Sequence, residues 1–201
     1  MHKEPDLKGH LERIEARKNI LKDNVALLLS HCVQDYKVLE IGSGHGDFLV
    51  DYAGKYPDRF CLGIDLISKR IDKSTKKAER HQVDNAYFLK AKAEEFLDCL
   101  PEKFLFNEII ILYPDPWPKR RHHKNRLFQE SFLSQLARCV TLGARLHFET
   151  DAKDYFDETC ELVTQHTQWK LDENQQSTYV VDTFFSRVTG ESAYHAVFAK
   201  L

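Results

Sequence analysis

The sequence predicts an α/β protein with a mostly parallel sheet and helices on both of its faces. Short apolar runs alternate with helical patterns along most of the chain, which is the order of strands joined by crossover helices. The first of these runs ends in a glycine-rich turn at residues 42–46. A later run, Ile109–Leu112, passes directly into a proline cluster at residues 114–118, and the prolines end the strand. These features predict an open sheet that binds its ligands where its strands end.

The strands are predicted from short runs of aliphatic, β-branched and aromatic residues, each followed by a turn signal or by a change to helical spacing. In chain order they are 38–41, 60–65, 86–89, 109–112 and 144–149. Apolar residues at helical spacing over residues 10–31 predict that residues 1–34 form a helical extension. Proline closes two later helical patterns, at Pro57 and Pro101. The helices within the alternation are predicted at 47–55, 68–81, 93–100, 127–140 and 153–165.

The C-terminal stretch breaks the alternation. Thr178–Val181 and Ala193–Ala199 are β-rich runs with no evident helix between them, so they are predicted to pair as an antiparallel ribbon at one side of the sheet. The sequence has no internal repeat, low-complexity tract or convincing linker. It therefore predicts one domain that spans residues 1–201.

The composition limits the class of protein. A hydrophobic fraction of 42% and a charged fraction of 30% fit a soluble globular chain, and no apolar run approaches membrane-spanning length. The five cysteines are scattered without a C-x-x-C pair, which predicts reduced thiols in a cytoplasmic protein. A net charge of -2 does not indicate nucleic-acid binding, so such a role would depend on local clusters of cations.

The turn at residues 42–46 has the arrangement of a nucleotide cradle. A strand, a glycine-rich turn and a helix are followed about twenty residues later by Asp65, which is placed to accept hydrogen bonds from ribose hydroxyls. This pattern alone does not separate nicotinamide cofactors from S-adenosylmethionine. The spacing G-x-G-x-G and the acidic Glu40 favour S-adenosylmethionine, because a carboxylate attracts its cationic groups and repels a pyrophosphate.

The segment after Leu112 carries the second set of candidate residues. Asp115 and Trp117 stand at the end of a predicted strand and are followed by a run of cations and histidines. A carboxylate, a flat aromatic side chain and a basic strip in one loop indicate chemistry on a nucleobase. Two simpler interpretations are turn chemistry at Asp115 and packing of Trp117 beneath the loop. Thr150 and Asp151 end another predicted strand on the same rim.

These residues resemble the bacterial tRNA (guanine-N7)-methyltransferases over about residues 38–155. The resemblance depends on Leu39–Gly46 (LEIGSGHG), Gly63–Asp65 (GID), Thr150-Asp151 with Tyr155, and above all Pro114–Lys124 (PDPWPKRRHHK). It implies a Rossmann-like class I fold that binds S-adenosylmethionine and methylates N7 of a guanine in the tRNA variable loop. The basic continuation of the PDPW segment is highly specific, whereas the glycine loop occurs in many methyltransferases.

The resemblance also implies roles for individual residues. Cofactor contacts are expected at Glu40, Gly42, Gly44, Gly46, Asp65, Lys92, Ala93 and Asp115. Asp115 would lie between cofactor and guanine and act in catalysis. Substrate contacts are expected at Lys119, Arg121, His122, His123, Lys124, Arg126, Thr150, Asp151, Thr183 and Ser186.

The chain departs from the family pattern at two positions. Members usually carry an acidic or amide residue where Lys92 stands, near the adenine. Ser186 replaces the glutamate of a C-terminal T-x-[FY]-E motif, and a hydroxyl cannot match a bidentate carboxylate on the guanine edge. These departures leave open a methyltransferase for another RNA site or a small molecule, and a non-catalytic RNA-binding relative.

Other classes fit the sequence less well. Adjacent His122 and His123 side chains point apart and have no H-E-x-x-H or cysteine partner, so no metal is expected. A nicotinamide dehydrogenase is the most distant alternative. The cations of residues 68–81 fit either a solvated helix face or an extension of an RNA surface. The sequence leaves open whether the protein is a monomer or a homodimer.

Overall fold

The computed structural model describes residues 7–172 and 193–201. Its helices in chain order are α1 (Leu7–Leu29), α2 (Asp47–Lys55), α3 (Ser68–Arg80), α4 (Ala93–Cys99), α5 (Glu130–Ala137) and α6 (Lys153–Gln165). Its strands are β1 (Tyr36–Ile41), β2 (Arg59–Asp65), β3 (Ala86–Lys90), β4 (Phe106–Leu112), β5 (Val140–Thr150), β6 (Trp169–Leu171) and β7 (Tyr194–Lys200). A 3-10 helix covers Arg120–Asn125.

The strands form one sheet in the order β3-β2-β1-β4-β5-β7-β6. Strands β1 to β5 are parallel, whereas β7 runs antiparallel to both β5 and β6. The chain leaves β1 towards β2 on one side and later returns to β4 on the other side of β1. The carboxyl ends of β1 and β4 therefore border a topological switch point, which is where open α/β sheets bind ligands.

The core lies on both faces of the sheet because the central strands are buried on both sides. One face of the sheet packs against a large apolar cluster that includes Val25, Phe96, Leu133 and Tyr155 from α1, α4, α5 and α6. The other packs against α2 through a cluster that includes Leu49. This packing confirms the α/β class and the mostly parallel sheet that the alternation predicts.

Of the two C-terminal strands that the sequence predicts, the second is confirmed. Ala193–Ala199 was expected to be β-rich, and β7 occupies Tyr194–Lys200 as an antiparallel strand. Within the described part of the chain its partners are β5 and β6. Thr178–Val181, the other half of the predicted ribbon, lies outside the described residues. No described helix is both long enough and apolar enough to cross a bilayer.

A buried polar cluster joins the strands near their amino ends, away from the switch point. Glu108 has a side chain that is 1% exposed, and it accepts hydrogen bonds from the hydroxyls of Tyr52 at 2.8 Å and Tyr36 at 3.2 Å. Arg59 Nη1 lies 3.4 Å from the same carboxylate, and His147 Nε2 lies 3.0 Å from its other oxygen. A buried carboxylate needs such partners because desolvation without them is strongly unfavourable.

Candidate active site

Glycines build the turn that follows β1 because three of its residues adopt positive φ angles. Gly42, Gly44 and Gly46 have φ values of +82°, +56° and +71°, which L side chains rarely adopt. Backbone hydrogen bonds from Gly42 N and Ser43 N to the carbonyl of Ile64, at 2.8 and 3.0 Å, hold the turn against β2. The outer part of the turn is open, since a Cβ on Gly42 would meet no atom within 4 Å. A ligand can therefore approach the bare backbone there.

Gly46 is a glycine for a different reason. A Cβ at this position would lie 2.8 Å from Ser74 Cβ and 3.0 Å from Phe88 Cζ, so α3 and β3 press directly on the turn. The Ser74 hydroxyl also donates a hydrogen bond to the carbonyl of Gly44 at 3.1 Å. Gly46 therefore fixes the turn to its neighbours, and the predicted cofactor contact at this residue is limited to its backbone.

Asp65 lies at the end of β2 and is 5% exposed. Its carboxylate accepts hydrogen bonds from Gly44 N at 3.1 Å and Ile67 N at 2.8 Å, and Arg70 Nη1 lies at 3.4 Å. An ionised carboxylate has about four acceptor positions, so these three contacts leave capacity for a ligand hydroxyl. The carboxylate therefore both braces the glycine turn and can receive a ribose.

Glu40, the second-last residue of β1, is buried two residues before Gly42, with an exposed fraction of 4%. Its Oε2 atom and the Ser43 hydroxyl are buried polar atoms with no hydrogen-bond partner among the residues that the structure describes. Burial raises the pKa of Glu40 to about 8, and the charges of Asp47 and Asp65 add to this rise. Unpaired buried polar atoms are costly, so their presence beside the open glycine backbone indicates a site for a polar ligand. A carboxylate next to open glycine backbone fits a nucleoside with cationic groups, such as S-adenosylmethionine.

Asp115 follows β4 on a turn that is bounded by two residues in left-handed conformation, Tyr113 with φ +49° and Trp117 with φ +46°. Such conformations persist in residues other than glycine only where neighbouring contacts impose them. At one end of the turn, Tyr113 N donates to the carbonyl of Glu149 at 2.7 Å and the Tyr113 hydroxyl donates to the Glu149 carboxylate. Asp115 itself is exposed and makes no hydrogen bond or ion pair with another described residue.

Arg126 holds the other end of this turn. Its Nε donates to the carbonyl of Pro116 at 2.8 Å, and its Nη2 lies 2.5 Å from Asp154 on α6. Its Nη1 is paired with Glu158, and the guanidinium lies 4.7 Å from the centre of the Tyr155 ring. The side chain is 1% exposed. This placement does not fit the expected contact between Arg126 and RNA, because the side chain is buried and pairs with two carboxylates and a carbonyl of its own chain. Arg126 connects the PDPW turn to α6 instead.

The basic segment after the turn divides into outward and inward side chains. Lys119, Arg121 and Lys124 are exposed, which fits the predicted contacts with phosphates. His122 lies edge-on to Trp117 with ring centroids 5.9 Å apart, and His123 Nδ1 lies 3.3 Å from Glu158. The two histidines therefore support the segment from the inside. Trp117 is 36% exposed.

The remaining predicted residues follow β3 and β5. Lys92 is exposed and lies 3.4 Å from Glu94, whereas Ala93 is buried at the start of α4. Thr150 is buried, and its hydroxyl accepts a hydrogen bond from Ala152 N at 3.2 Å. Asp151 is exposed on the rim. The predicted residues up to Asp151 thus lie at the carboxyl ends of β1 to β5 or in the segments that follow these strands. Thr183 and Ser186 lie outside the described residues.

The contacts that support the PDPW turn are not predicted by the sequence patterns. Glu149 and the α6 carboxylates Asp154 and Glu158 were not among the predicted site residues, although all three contact that turn or its anchor. One signal was available, because the i, i+4 spacing of Asp154 and Glu158 places both on one face of a helix. Among the described residues, no group of three or more histidines, cysteines and carboxylates is arranged to hold a metal ion.

Comparison with known proteins identifies the family. Residues 34–196 match the family Methyltransf_4, whose description reads "Putative methyltransferase". A tRNA (guanine-N(7)-)-methyltransferase of Nitrosococcus oceani is 34% identical over 166 residues, which are 82% of this chain and 70% of the relative. The protein of the same name from Chlamydia pneumoniae is 30% identical over 169 residues, 80% of this chain and 75% of the relative. A third, from Caulobacter vibrioides, is 35% identical over 125 residues, and the match covers 62% of this chain and only 55% of that relative.

Solved structures agree on the fold alone. The aminoglycoside resistance methyltransferase NpmB1 has a TM-score of 0.62 at 19% identity, with 90% of this chain and 93% of that chain covered. A precorrin-6y C5,15-methyltransferase from Geobacter metallireducens has a TM-score of 0.57 at 13% identity and 88% coverage of both chains. The fold is therefore that of the class I methyltransferases. On the family match and the two relatives of which it covers at least 70%, the chain belongs to the bacterial tRNA (guanine-N7)-methyltransferase family.

Proposed function

We propose that this protein transfers a methyl group from S-adenosylmethionine to N7 of a guanine in the variable loop of tRNA. The observation that carries the proposal is the juxtaposition at the switch point. A buried Glu40 with an unpaired oxygen lies one residue before the end of β1, and an exposed Asp115 on a constrained turn follows the adjacent β4. The named activity of the relatives supports the nature of the substrate. The reaction would take place in the cytoplasm.

The cofactor would be held by the residues that follow β1 and β2. S-adenosylmethionine supplies an electrophilic methyl group on a sulfonium centre. Glu40 would pair with cationic groups of the cofactor, and Asp65 would accept hydrogen bonds from the ribose through its remaining acceptor capacity. The backbone of Gly42 and Gly44 would lie against the ligand, while Ala93 at the start of α4 would contribute backbone groups near the adenine. Lys92 would modify the charge at the adenine end of the site, where its ammonium lies beside Glu94.

The protein's main contribution to the reaction would be orientation. N7 of guanine has an in-plane lone pair, so no base is needed to deprotonate it before it attacks. Alignment of reacting groups at near-attack distance can lower a barrier by roughly 7–11 kcal/mol. The rigid support of the PDPW turn by Glu149 and Arg126 fits this requirement, because a mobile turn would lose the alignment.

Asp115 would act as the electrostatic centre of catalysis. The purine becomes cationic as the new bond forms, and a fixed carboxylate beside it offsets that charge. Asp115 suits this task because its carboxylate is not engaged with any described residue. The turn that carries Asp115 is bounded by Tyr113 and Trp117, both in left-handed conformation.

The rim around Asp115 would bind the RNA. Lys119, Arg121 and Lys124 would contact phosphates, and Asp151 with Thr150 would border the guanine site. His122 and His123 would hold the basic segment in shape, and Arg126 would position the PDPW turn from below. Thr183 and Ser186, which lie outside the described residues, would contribute substrate contacts.

The test is methyl transfer from labelled S-adenosylmethionine to unmodified tRNA transcripts, with the labelled nucleoside identified and its position mapped. A matched transcript carries adenine in place of the variable-loop guanine. The proposal predicts 7-methylguanosine with the first transcript and no label at that site with the second. Label in another nucleoside would favour a methyltransferase for a different RNA site. Binding of both ligands without transfer would favour a non-catalytic relative.

A further inference from the structure

The exposed cations of helix α3 lie along one side of the helix. Four of its cations recur at intervals of four, three and four residues, so at about 100° per residue they form one line along the helix. We call this line the basic stripe; its members are Lys69, Lys73, Lys76 and Arg80. All four side chains are exposed. The opposite side of the helix is buried through Ser74 and Ala78.

The stripe is not neutralised by the rest of the described chain. The two other cations of α3 have acidic partners, because Arg70 lies 3.4 Å from Asp65 and Lys77 is paired with Asp47. By contrast, the side chains of the four members of the stripe make no ion pair or hydrogen bond with any described residue, including Asp72 and Glu79 of the same helix.

The like charges within the stripe are unfavourable for an isolated helix, although Asp72 stands at the favourable i, i+4 spacing from Lys76. Lys69 and Lys73 are i, i+4 neighbours, as are Lys76 and Arg80, and like charges at this spacing destabilise a helix. A helix face that meets only water gains from the opposite pattern, in which acids alternate with bases. A line of unpaired cations is therefore best explained by a partner with regularly spaced negative charges.

The stripe also has a fixed relation to the candidate active site. Helix α3 begins at Ser68, three residues after Asp65 ends β2, so the stripe starts at the cofactor edge of the sheet. Ser74 donates a hydrogen bond to the carbonyl of Gly44 at 3.1 Å and lies against Gly46. The helix and the glycine turn therefore form one rigid unit, and a polyanion on the stripe would be held in register with the site.

We propose that the basic stripe of α3 is a second binding surface for the phosphodiester backbone of tRNA, separate from the segment that follows the PDPW turn. This proposal rests on the proposed function, which supplies the nucleic acid. Contacts of this kind position an RNA without reading its sequence. The stripe would therefore contribute affinity for every tRNA that the enzyme accepts.

The test compares the variant Lys73→Gln/Lys76→Gln with a control that loses the same charge elsewhere, Lys103→Gln/Lys170→Gln. Lys103 and Lys170 are exposed and make no ion pair with a described residue, and neither follows the carboxyl end of a strand of the parallel sheet. Glutamine keeps a high helix propensity, so α3 should remain folded, which circular dichroism checks. The measured quantity is the dissociation constant for tRNA between about 0.05 and 0.2 M salt.

The stripe variant should bind tRNA roughly tenfold more weakly at about 0.1 M salt. The slope of the logarithm of its binding constant against the logarithm of the salt concentration should also become less steep, by about 0.7–0.9 for each phosphate that the variant no longer neutralises. Its affinity for S-adenosylmethionine should not change. Equal tRNA affinity and salt dependence in the stripe variant and the control would overturn the proposal. Because binding is measured without turnover, this outcome is distinct from failure of the proposed function, in which the wild-type protein forms no 7-methylguanosine.

Discussion

At the scale of single residues, Arg126 changes its assigned role between sequence and structure. In the sequence it is one of a run of cations, and nothing in that run separates exposed members from buried ones. In the structure its guanidinium reaches the carbonyl of Pro116 and two carboxylates on α6, so it is enclosed by its own partners. The distinction depends on how α6 packs against the PDPW turn, which sequence spacing does not reveal.

The replacement Arg126→Gln should therefore lower both stability and turnover. It removes charged hydrogen bonds from a buried site, and we expect a loss of about 1–3 kcal/mol in the free energy of unfolding. Turnover should fall while the affinity for tRNA changes little, because the side chain does not reach the surface. Arg126→Lys should restore little, since an ammonium cannot reproduce the planar arrangement of guanidinium donors. A large loss of tRNA affinity with unchanged stability would instead support a direct contact with RNA.

Glu40 has a pKa that links ligand binding to pH. The pKa is about 8 in the ligand-free fold against an ordinary value of 4.5. Between these values the fold binds more protons than the unfolded chain, so this group lowers stability as pH rises towards 8. A cationic ligand beside Glu40 favours the ionised form. Binding of S-adenosylmethionine at about pH 7 should therefore release a proton, and affinity should increase as pH approaches 8.

Calorimetry of cofactor binding in two buffers with different ionisation enthalpies measures this proton release. The wild-type protein should give different binding heats in the two buffers. Glu40→Gln should bind the cofactor more weakly and give the same heat in both, because it has no proton to lose. Equal heats for the wild-type protein would contradict the release of a proton from Glu40 on binding.

At the scale of elements, two residues of the glycine turn differ in what surrounds them. Gly46 packs against α3, whereas Gly42 is open to a ligand. Both Gly42 and Gly46 have positive φ, so alanine at either position is strained by roughly 1–2 kcal/mol. A methyl group on Gly46 additionally overlaps Ser74 on α3, whereas the space at Gly42 is open. We expect Gly46→Ala to unfold at a clearly lower temperature than Gly42→Ala. Gly42→Ala should mainly weaken cofactor binding. Thermal denaturation and cofactor titration of the pair check this, and the reverse order would contradict the described packing.

The elements that were predicted well are those whose hydrophobic period was clear. The ends of α2 were predicted at Asp47 and about Lys55, and α6 at about Lys153 to Gln165, as the structure has them. The predicted helix over 127–140 was too long at both ends, because α5 covers only Glu130–Ala137. Strand β5 begins at Val140 instead of Ala144, because it continues through Gly143, whose φ is +74°. The alternation of apolar and polar residues that identifies a strand in the sequence is interrupted at such irregular positions.

Strand β6 shows what local patterns cannot supply. Trp169–Leu171 has only three residues, too few for an alternation to be visible. It forms because β7 offers an edge and because the Trp169 indole, 1% exposed, donates to the carbonyl of Leu133 at 3.0 Å. These partners are distant in sequence. The same reason explains why Glu108 could not be recognised as the centre of a polar cluster from its place in an apolar strand.

At the scale of the whole molecule, the fold joins the proposed cofactor half to the proposed substrate half. Glu40 lies near the end of β1, which the glycine turn follows, and Asp65 ends β2, whereas the PDPW turn and Asp151 follow β4 and β5. The two halves meet between β1 and β4, where the strand order reverses. Most of the candidate site could be predicted because each strand end carries a residue signal. The supports of Asp115 could not, because Glu149 and α6 reach that turn only in the folded molecule.

The central claim is that Asp115 at this junction stabilises the charge that develops on guanine. The most direct test is the single-turnover rate of methyl transfer to tRNA by the wild-type protein and by Asp115→Asn, with Asp84→Asn, an exposed carboxylate away from the site, as the matched control. The claim predicts a rate about 10²- to 10³-fold lower for Asp115→Asn, with cofactor and tRNA binding retained and the control unchanged. A rate for Asp115→Asn close to that of the wild-type protein would contradict it.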